Sequence, residues 1–309
     1  MVRADMVGAG DLEVRTLRAN ELPQVHATVL DAFSVYPVRI QPTLAELRAM
    51  LVRRGVDWSA CVGAFHQGAL VGAVMVALDP DPDPADNGDN GEREAYVVIT
   101  GVRRAWHGRG VLRAMFEWLD LALGRRGVSQ LRLEVLADNP VARRAYGRLG
   151  FAATRYLFCH ELPHLKRAQR FREELGFELY TGDELREVEA RHAPLWAEFA
   201  SLRPAWTNSD ATVRRSSSRV LFEASWDDTL VGYAVVDLNT NELLQLAVDP
   251  SHRRKGIATE LVRACQQHAD RPALRVLNVP DQGDHGGTLA FLRELGAKQF
   301  AVQLEMLRG

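Results

Sequence analysis

Two spacings of apolar residues alternate along the chain. Short apolar runs at 12–17, 60–65, 70–77 and 96–102 have the length and branched content of β-strands. The second and third flank His66-Gln67-Gly68 and predict a hairpin. Between and after these runs the spacing becomes helical. Asn20, a capping residue type, precedes Leu22, Val25, Val29 and Leu30, and Val111, Leu112, Met115, Phe116 and Leu119 mark one face of a helix over 110–123. Leu131, Leu133 and Val135 alternate in a further strand over 131–136, after which 139–149 reads as helix and 151–159 as strand. Strands and helices in this order predict an α/β chain of the α+β kind.

The order then repeats. Val14–Leu22 resembles Phe177–Leu185 at an offset of 163, and Leu70-Val71-Gly72 matches Leu230-Val231-Gly232 at 160. Gly110 matches Gly256 and Gly150 matches Gly296, both at 146. Four matches in the same order predict an internal duplication. The domains expected are 1–162 and 176–309, joined by a charged helical connector at 163–175. The falling offset places an insertion in the first copy, the acidic Pro-, Gly- and Asn-rich loop 79–93. That loop has Pro84 where a calcium-binding EF-hand loop needs glycine, so no calcium site is expected. In the second copy Ile257, Leu261, Val262 and Cys265 share a helix face, which makes Cys265 a core residue rather than a nucleophile.

The segment richest in chemistry is a β-branched strand, a short basic glycine-containing loop and a helix. In the second copy it runs from Leu246 through Arg253-Arg254-Lys255-Gly256 to Ile257-Ala258. The first turn of a helix offers unpaired N–H groups at the positive end of its dipole, glycine admits close backbone approach, and flanking cations add charge. An anionic ligand of the diphosphate kind is expected there. The pattern is neither a P-loop nor a dinucleotide fingerprint, since Arg113 replaces the third glycine of the latter in the first copy.

Arg253-Arg254-Lys255-Gly256-Ile257-Ala258 resembles the Q/R-x-x-G-x-G/A pyrophosphate motif of the GNAT superfamily of acyl-CoA N-acyltransferases. His107-Gly108-Arg109-Gly110-Val111-Leu112 keeps only Gly110 of the fixed positions. The first copy is closer further on, where Leu131–Val135, Asp138-Asn139 and Ala145-Tyr146-Gly147-Arg148-Leu149-Gly150-Phe151 resemble that family's fifth strand, asparagine and Tyr-x-x-x-Gly-Phe helix. In the second copy Leu292 stands in the place of Tyr146. The resemblance covers nearly the whole chain and implies two tandem GNAT-like domains, each a mixed, mostly antiparallel central sheet flanked by helices. It implies backbone contacts to acetyl-CoA from Thr100, Gly101 and Val102 and from Leu246, Ala247 and Val248. Pyrophosphate would lie on 107–112 and 253–258, Asn139 would order the loop or the cofactor, and Tyr146 would protonate the leaving thiolate. The activity implied is direct transfer of an acetyl group to a small-molecule or peptide amine in a ternary complex. A non-catalytic acyl-CoA-binding protein built on the same domains is the alternative. Glu94 and Glu134 are both candidates for the general base, and neither is singled out.

Composition narrows the class. Thirty-eight basic against forty acidic residues, for a net charge of -2, speak against a nucleic-acid binder. No apolar run reaches the ~20 residues of a membrane helix, the first residues lack a signal-peptide core, and three scattered cysteines give no disulfide framework. A cytoplasmic monomer or homodimer without metal is expected. His160-Glu161-Leu162-Pro163-His164 spells a zinc-protease motif, but a strand runs into it and Pro163 lies between the histidines. Arg214–Arg219 reads as a solvated loop, and Trp206 as a packing residue.

Overall fold

The computed structural model describes residues 12–34, 41–78, 93–165, 174–200, 203–269, 273–281 and 287–309. Two compact units divide the chain. One gathers the described residues of Met1–Val135, Asn139–Thr154 and Glu305–Gly309; the other gathers those of Leu136–Asp138 and Arg155–Leu304.

The first unit is built from β1 (Glu13–Thr16), α1 (Leu22–Ala32), α2 (Leu44–Arg53), β2 (Val62–His66), β3 (Ala69–Leu78), β4 (Arg93–Val102), α3 (Val111–Gly124), β5 (Val128–Leu136) and α4 (Pro140–Arg148). Its sheet has the order β1-β2-β3-β4-β5, antiparallel except for the parallel pair β4 and β5. Gly72 of β3 lies under Val111 and Met115 of α3, whereas Gly101 of β4 lies under Ala32 of α1. The sheet is therefore covered by α3 on one face and by α1 on the other. Asn20 does not cap α1. It sits inside a 3-10 turn, Ala19–Glu21, whose last residue is the cap, because Arg15 and the Arg18 amide both hold the Glu21 carboxylate. Helix α2 has no counterpart in the sequence expectations. Its start is fixed by a capping box between Thr43 and Glu46, and it buries only Leu47 and Leu51.

β6 (Ala152–Pro163) begins in the first unit and continues in the second, where it pairs antiparallel with β11 (Ala273–Pro280). The second unit further holds β7 (Leu175–Tyr180), α5 (Gly182–Phe199), α6 (Asp210–Arg214), β8 (Arg219–Trp226), β9 (Thr229–Asp237), β10 (Glu242–Val248), α7 (Ile257–His268) and α8 (Gly287–Glu294), in the strand order β6-β11-β10-β9-β8-β7. β12 (Lys298–Arg308) has its first residues in this unit and its last in the other. Ile257, Leu261, Val262 and Cys265 of α7 pack against β8, β9 and β10, and burial pushes the Cys265 thiol well above its ordinary range. The acidic loop and the connector fall largely outside the described residues, at 79–92 and 166–173. His160–Pro163 lie on strand β6 rather than on a helix, so the two histidines do not share a helical face.

One expectation fails plainly. Arg214–Arg219 is not a solvated loop. Ser216 is buried with its hydroxyl on Asp237 at 2.6 Å, and Arg219 grips Glu189 through two nitrogens, at 3.1 and 2.9 Å. Asp237 and Glu189 are far away in sequence, so local composition held no sign of either partner.

Candidate acyl-transfer site

Each unit carries a fork in its sheet. β4 and β5 run side by side from Arg93↔Val128 to Val97↔Leu133, and there the pairing stops. A bulge at Val98 breaks the register with β3 at the same point. Beyond it, Ile99–Val102 pair with β3 alone among the described strands, which leaves the other backbone edge of β4 for a ligand. The second unit repeats this. Glu242↔Arg275 is the parallel pair, and Leu244, equivalent to Val98, is skipped in the ladder with β9.

The loops after these strands are alike in geometry where they differ in sequence. Gly110 and Gly256 both take a left-handed conformation, φ 79° and 86°, and cap α3 and α7. The first helical amide bonds are Ala114 N to Gly110 O and Glu260 N to Gly256 O. The N–H groups of 111–113 and 257–259 therefore precede the ladder and point out of the helix start. A Cβ at Gly256 would meet no atom of the described residues within 4 Å. His107, which departs from the motif, does the work of its counterpart Arg253. Its Nε2 lies 2.8 Å from Val102 O, as Arg253 Nε lies 3.1 Å from Val248 O. A ring nitrogen facing a carbonyl must carry its proton, so the imidazole donates just as the guanidinium does. Gly108 (φ 73°) corresponds to Arg254 (φ 62°), which takes the same left-handed turn with a side chain attached. Arg109 lies over Trp106 at 5.2 Å, and Arg103 reaches the Thr28 hydroxyl at 3.3 Å.

Thr100, Gly101 and Val102 thus stand at the open end of β4, and Leu246, Ala247 and Val248 at the corresponding end of β10. The Thr100 hydroxyl is buried and bonds to no described residue. Asn139 caps α4, its side-chain oxygen 3.0 Å from Ala142 N. Tyr146, half-buried on α4, is set edge-on against Phe116 and Phe151, with ring centres 6.2 and 5.8 Å away. Leu292, its counterpart on α8, is buried in the core of the second unit.

The faces beneath the helices differ most. In the first unit Glu94, Tyr96, Arg132 and Glu134 lie on the α1 face of the sheet, as the strand registers require. Arg132 holds Glu94 through two nitrogens and Glu305 through a third at 2.6 Å. Burial lowers the Arg132 guanidinium, and the two carboxylates more than offset it. Burial first, then the Glu134 carboxylate bonded to its hydroxyl, hold the Tyr96 phenol well above its usual range. This charged group was only partly visible in the sequence. Glu94 and Glu134 stood out as carboxylates, but Arg132 and Glu305 did not, because 173 residues separate them.

In the second unit the same face is filled. Tyr233 stands where the first unit has Ala73, and it stacks on Trp196 with ring centres 4.6 Å apart. The 3-10 turn Trp206–Asn208 lies across the fork. Asn208 Nδ2 donates to Leu244 O at 2.8 Å, and Asn278 Nδ2 on β11 donates to Thr207 Oγ1 at 3.0 Å. Gln245, in the place of Ile99, is fixed by Asn208 O and Asp210 at 3.1 and 2.7 Å. Trp206 is half-buried at this turn.

Comparison with known proteins agrees with the duplicated architecture. Residues 27–151 and 183–297 each match the acetyltransferase (GNAT) family. A mycothiol acetyltransferase of Cellulomonas flavigena is 34% identical over 124 residues, covering 40% of this chain and 35% of that protein. An N-alpha-acetyltransferase of Arabidopsis thaliana is 27% identical over 103 residues, covering 33% and 50%. The chain thus spans half or less of the curated relatives it matches. Among solved structures, a GCN5-related N-acetyltransferase from Sphaerobacter thermophilus superposes with a TM-score of 0.71 at 14% identity, covering 98% of this chain and 96% of that one. A tandem GNAT protein from the clavulanic acid biosynthesis pathway gives 0.69 at 17% identity, covering 96% and 98%. Two forked sheets, each followed by a glycine-capped helix start and each matched separately to one family, make this chain a tandem member of the GNAT acetyltransferases.

Proposed function

We propose that the chain is an acetyl-CoA-dependent N-acetyltransferase whose first unit performs the transfer, to a small-molecule or peptide amine, directly and in a ternary complex. The observation that carries this reading is a coincidence of features in one unit. The first unit has a fork with no described segment bonded across it and a phenol, Tyr146, on the adjoining helix; the second has the turn 206–208 across its fork and Leu292 in place of the phenol.

The residues present fit the donor. The amides of 111–113 and the Gly108–Gly110 turn suit a pyrophosphate, and the free edge of Thr100–Val102 suits an extended amide chain. Arg103, Arg104 and Arg109 add positive charge beside the loop. An attacking amine must lose a proton. Glu94 is a poor acceptor, because Arg132 engages both its oxygens. Glu134 lies one residue past the last β4–β5 pair, half-buried and facing α1, and we assign it the proton. Tyr146 then returns a proton to the departing thiolate, whose basicity a phenol of ordinary pKa near 10 matches. The three buried free thiols, Cys61, Cys159 and Cys265, support a reducing, cytoplasmic setting and take no part.

The sealed face of the second unit favours a companion reading for that half, in which residues 253–258 hold acyl-CoA without transferring it. The test of the whole is release of the CoA thiol from acetyl-CoA across a panel of primary amines, from small polyamines to peptides with free N-termini. Amine-dependent release supports an acetyltransferase. Saturable acetyl-CoA binding with no release on any amine leaves both units as binders.

A further inference from the structure

The last residues of the chain belong to the first unit, and what they bring there is a charge. Glu305, almost fully buried, accepts from Arg132 Nη1 at 2.6 Å and from the Thr154 hydroxyl at 2.9 Å. Arg132 in turn binds Glu94 on β4. One guanidinium thus ties β4, β5 and the end of β12 together, at the level where β4 and β5 part (Tyr96↔Arg132, Val97↔Leu133). Tyr96 lies in that layer: burial and then Glu134 raise its phenol, Arg54 opposes them, and Glu305 adds the smallest push upward. The strand end is anchored a second time by Arg308, which bonds Leu149 O at 2.8 Å, pairs with Asp120 and lies over the rings of Phe151 and Phe116 at 4.9 and 5.6 Å.

We propose that Glu305 is a positioning residue of the first unit's reaction: delivered by the C-terminal strand, it fixes Arg132 against Glu94 and adds a negative charge to the face that carries Glu134, the group assigned the amine proton. The assignment rests on Glu134 as the base. Without Glu305 the group Glu94, Arg132, Glu134 loses one negative charge, and a carboxylate in less negative surroundings gives up its proton at lower pH. A Glu305 too distant for its charge to act on Glu134 would hold the strand without moving that titration.

The experiment follows the carboxyl carbons of 13C-labelled glutamates by NMR titration in the full chain, with the Glu134 signal identified by its loss in Glu134→Gln. Glu305→Gln is expected to lower the Glu134 midpoint by about half a pH unit or more, the size of one charge removed within a few ångströms to a nanometre of a partly buried group. Glu305→Asp, which keeps the charge, restores most of the shift. Arg308→Lys touches no member of the group, keeps the positive charge and loosens the same strand end from its other anchor; it is expected to move the midpoint the same way by less, and it serves if Glu305→Gln does not fold. A Glu134 midpoint unmoved in every folded variant overturns the proposal. Because the readout is a titration and not turnover, it stands apart from the thiol-release test of the function itself.

Discussion

The two units share a ladder, a fork and a glycine-capped helix start, yet the sheet face under α1 in the first and the face under α5 in the second are built differently. Where the first unit has Ala73, Tyr96 and Ile99, the second has Tyr233, Glu242 and Gln245. Tyr233 fills space against Trp196, and Gln245 holds the turn that crosses the fork. Duplication gave both halves the same forked sheet and glycine-capped helix start. Divergence then worked on that face: one copy carries the Glu94–Arg132–Glu305 group, and the other stacks Tyr233 on Trp196 beside a buried Glu223 that accepts from the Trp196 indole at 3.0 Å and lies 2.8 Å from His192 Nδ1. Backbone-made features tolerate such drift, because His107 and Arg253 reach the same carbonyl by different chemistry. A chemical role carried by one side chain does not tolerate it, since leucine at 292 has no proton to give.

The comparison breaks first at Gly256. The Cβ of a valine there meets no atom of the described residues within 4 Å, but the residue must adopt φ near 86°, and it would stand at the approach to the helix start. Calorimetry with acetyl-CoA is expected to lose one of two binding equivalents, a weakening of about a hundredfold at that unit. Unchanged stoichiometry would remove the second unit as a donor site. Filling the α1 face of the first unit, where the proposed function places the acceptor, is a sharper probe. Ile99→Trp is expected to raise the acceptor KM about tenfold while acetyl-CoA affinity holds, because Ile99 faces α1 and not the phosphate loop.

Much of this was legible in the sequence and some was not. Periodicity found the strands and main helices because each buries one face, and Cys265 was placed in the core by its spacing alone. The glycine-capped loops before α3 and α7 were legible because their glycines and cations are contiguous. The seal over the second unit was not, since Thr207, Asn208, Gln245 and Asn278 are polar residues of ordinary type that meet only in three dimensions. Helix α2 escaped because it buries only two leucines. A strand over 151–159 was visible, but no pattern said that it would run on to Pro163 and pair with β11 from Leu157 onward, or that Glu305 would belong to the first unit.

Smaller effects follow from charge and burial. Arg104 and Arg254 are exposed, so acetyl-CoA affinity is expected to fall about three- to tenfold between low and high ionic strength. Affinity that stays flat would mean that these cations do not face the phosphates. The thiols give the least signal. Burial pushes the Cys61 thiol up to about 12, and Cys265 is raised as well, so a thiol-reactive chromophore is expected to label none of the three cysteines at pH 8 in the folded protein and all three after denaturation. Rapid labelling of the native chain would show that the cores open.

The central claim is that acetyl transfer belongs to the first unit, and Tyr146→Phe addresses it with the least disturbance. The ring contacts with Phe116 and Phe151 survive the change, and only the hydroxyl is lost. With an amine that supports thiol release, the account predicts a fall in kcat of about 10²–10⁴, as removal of a general acid entails, and acetyl-CoA affinity within about threefold of the parent. A Tyr146→Phe protein that releases the CoA thiol at the full parental rate would contradict it.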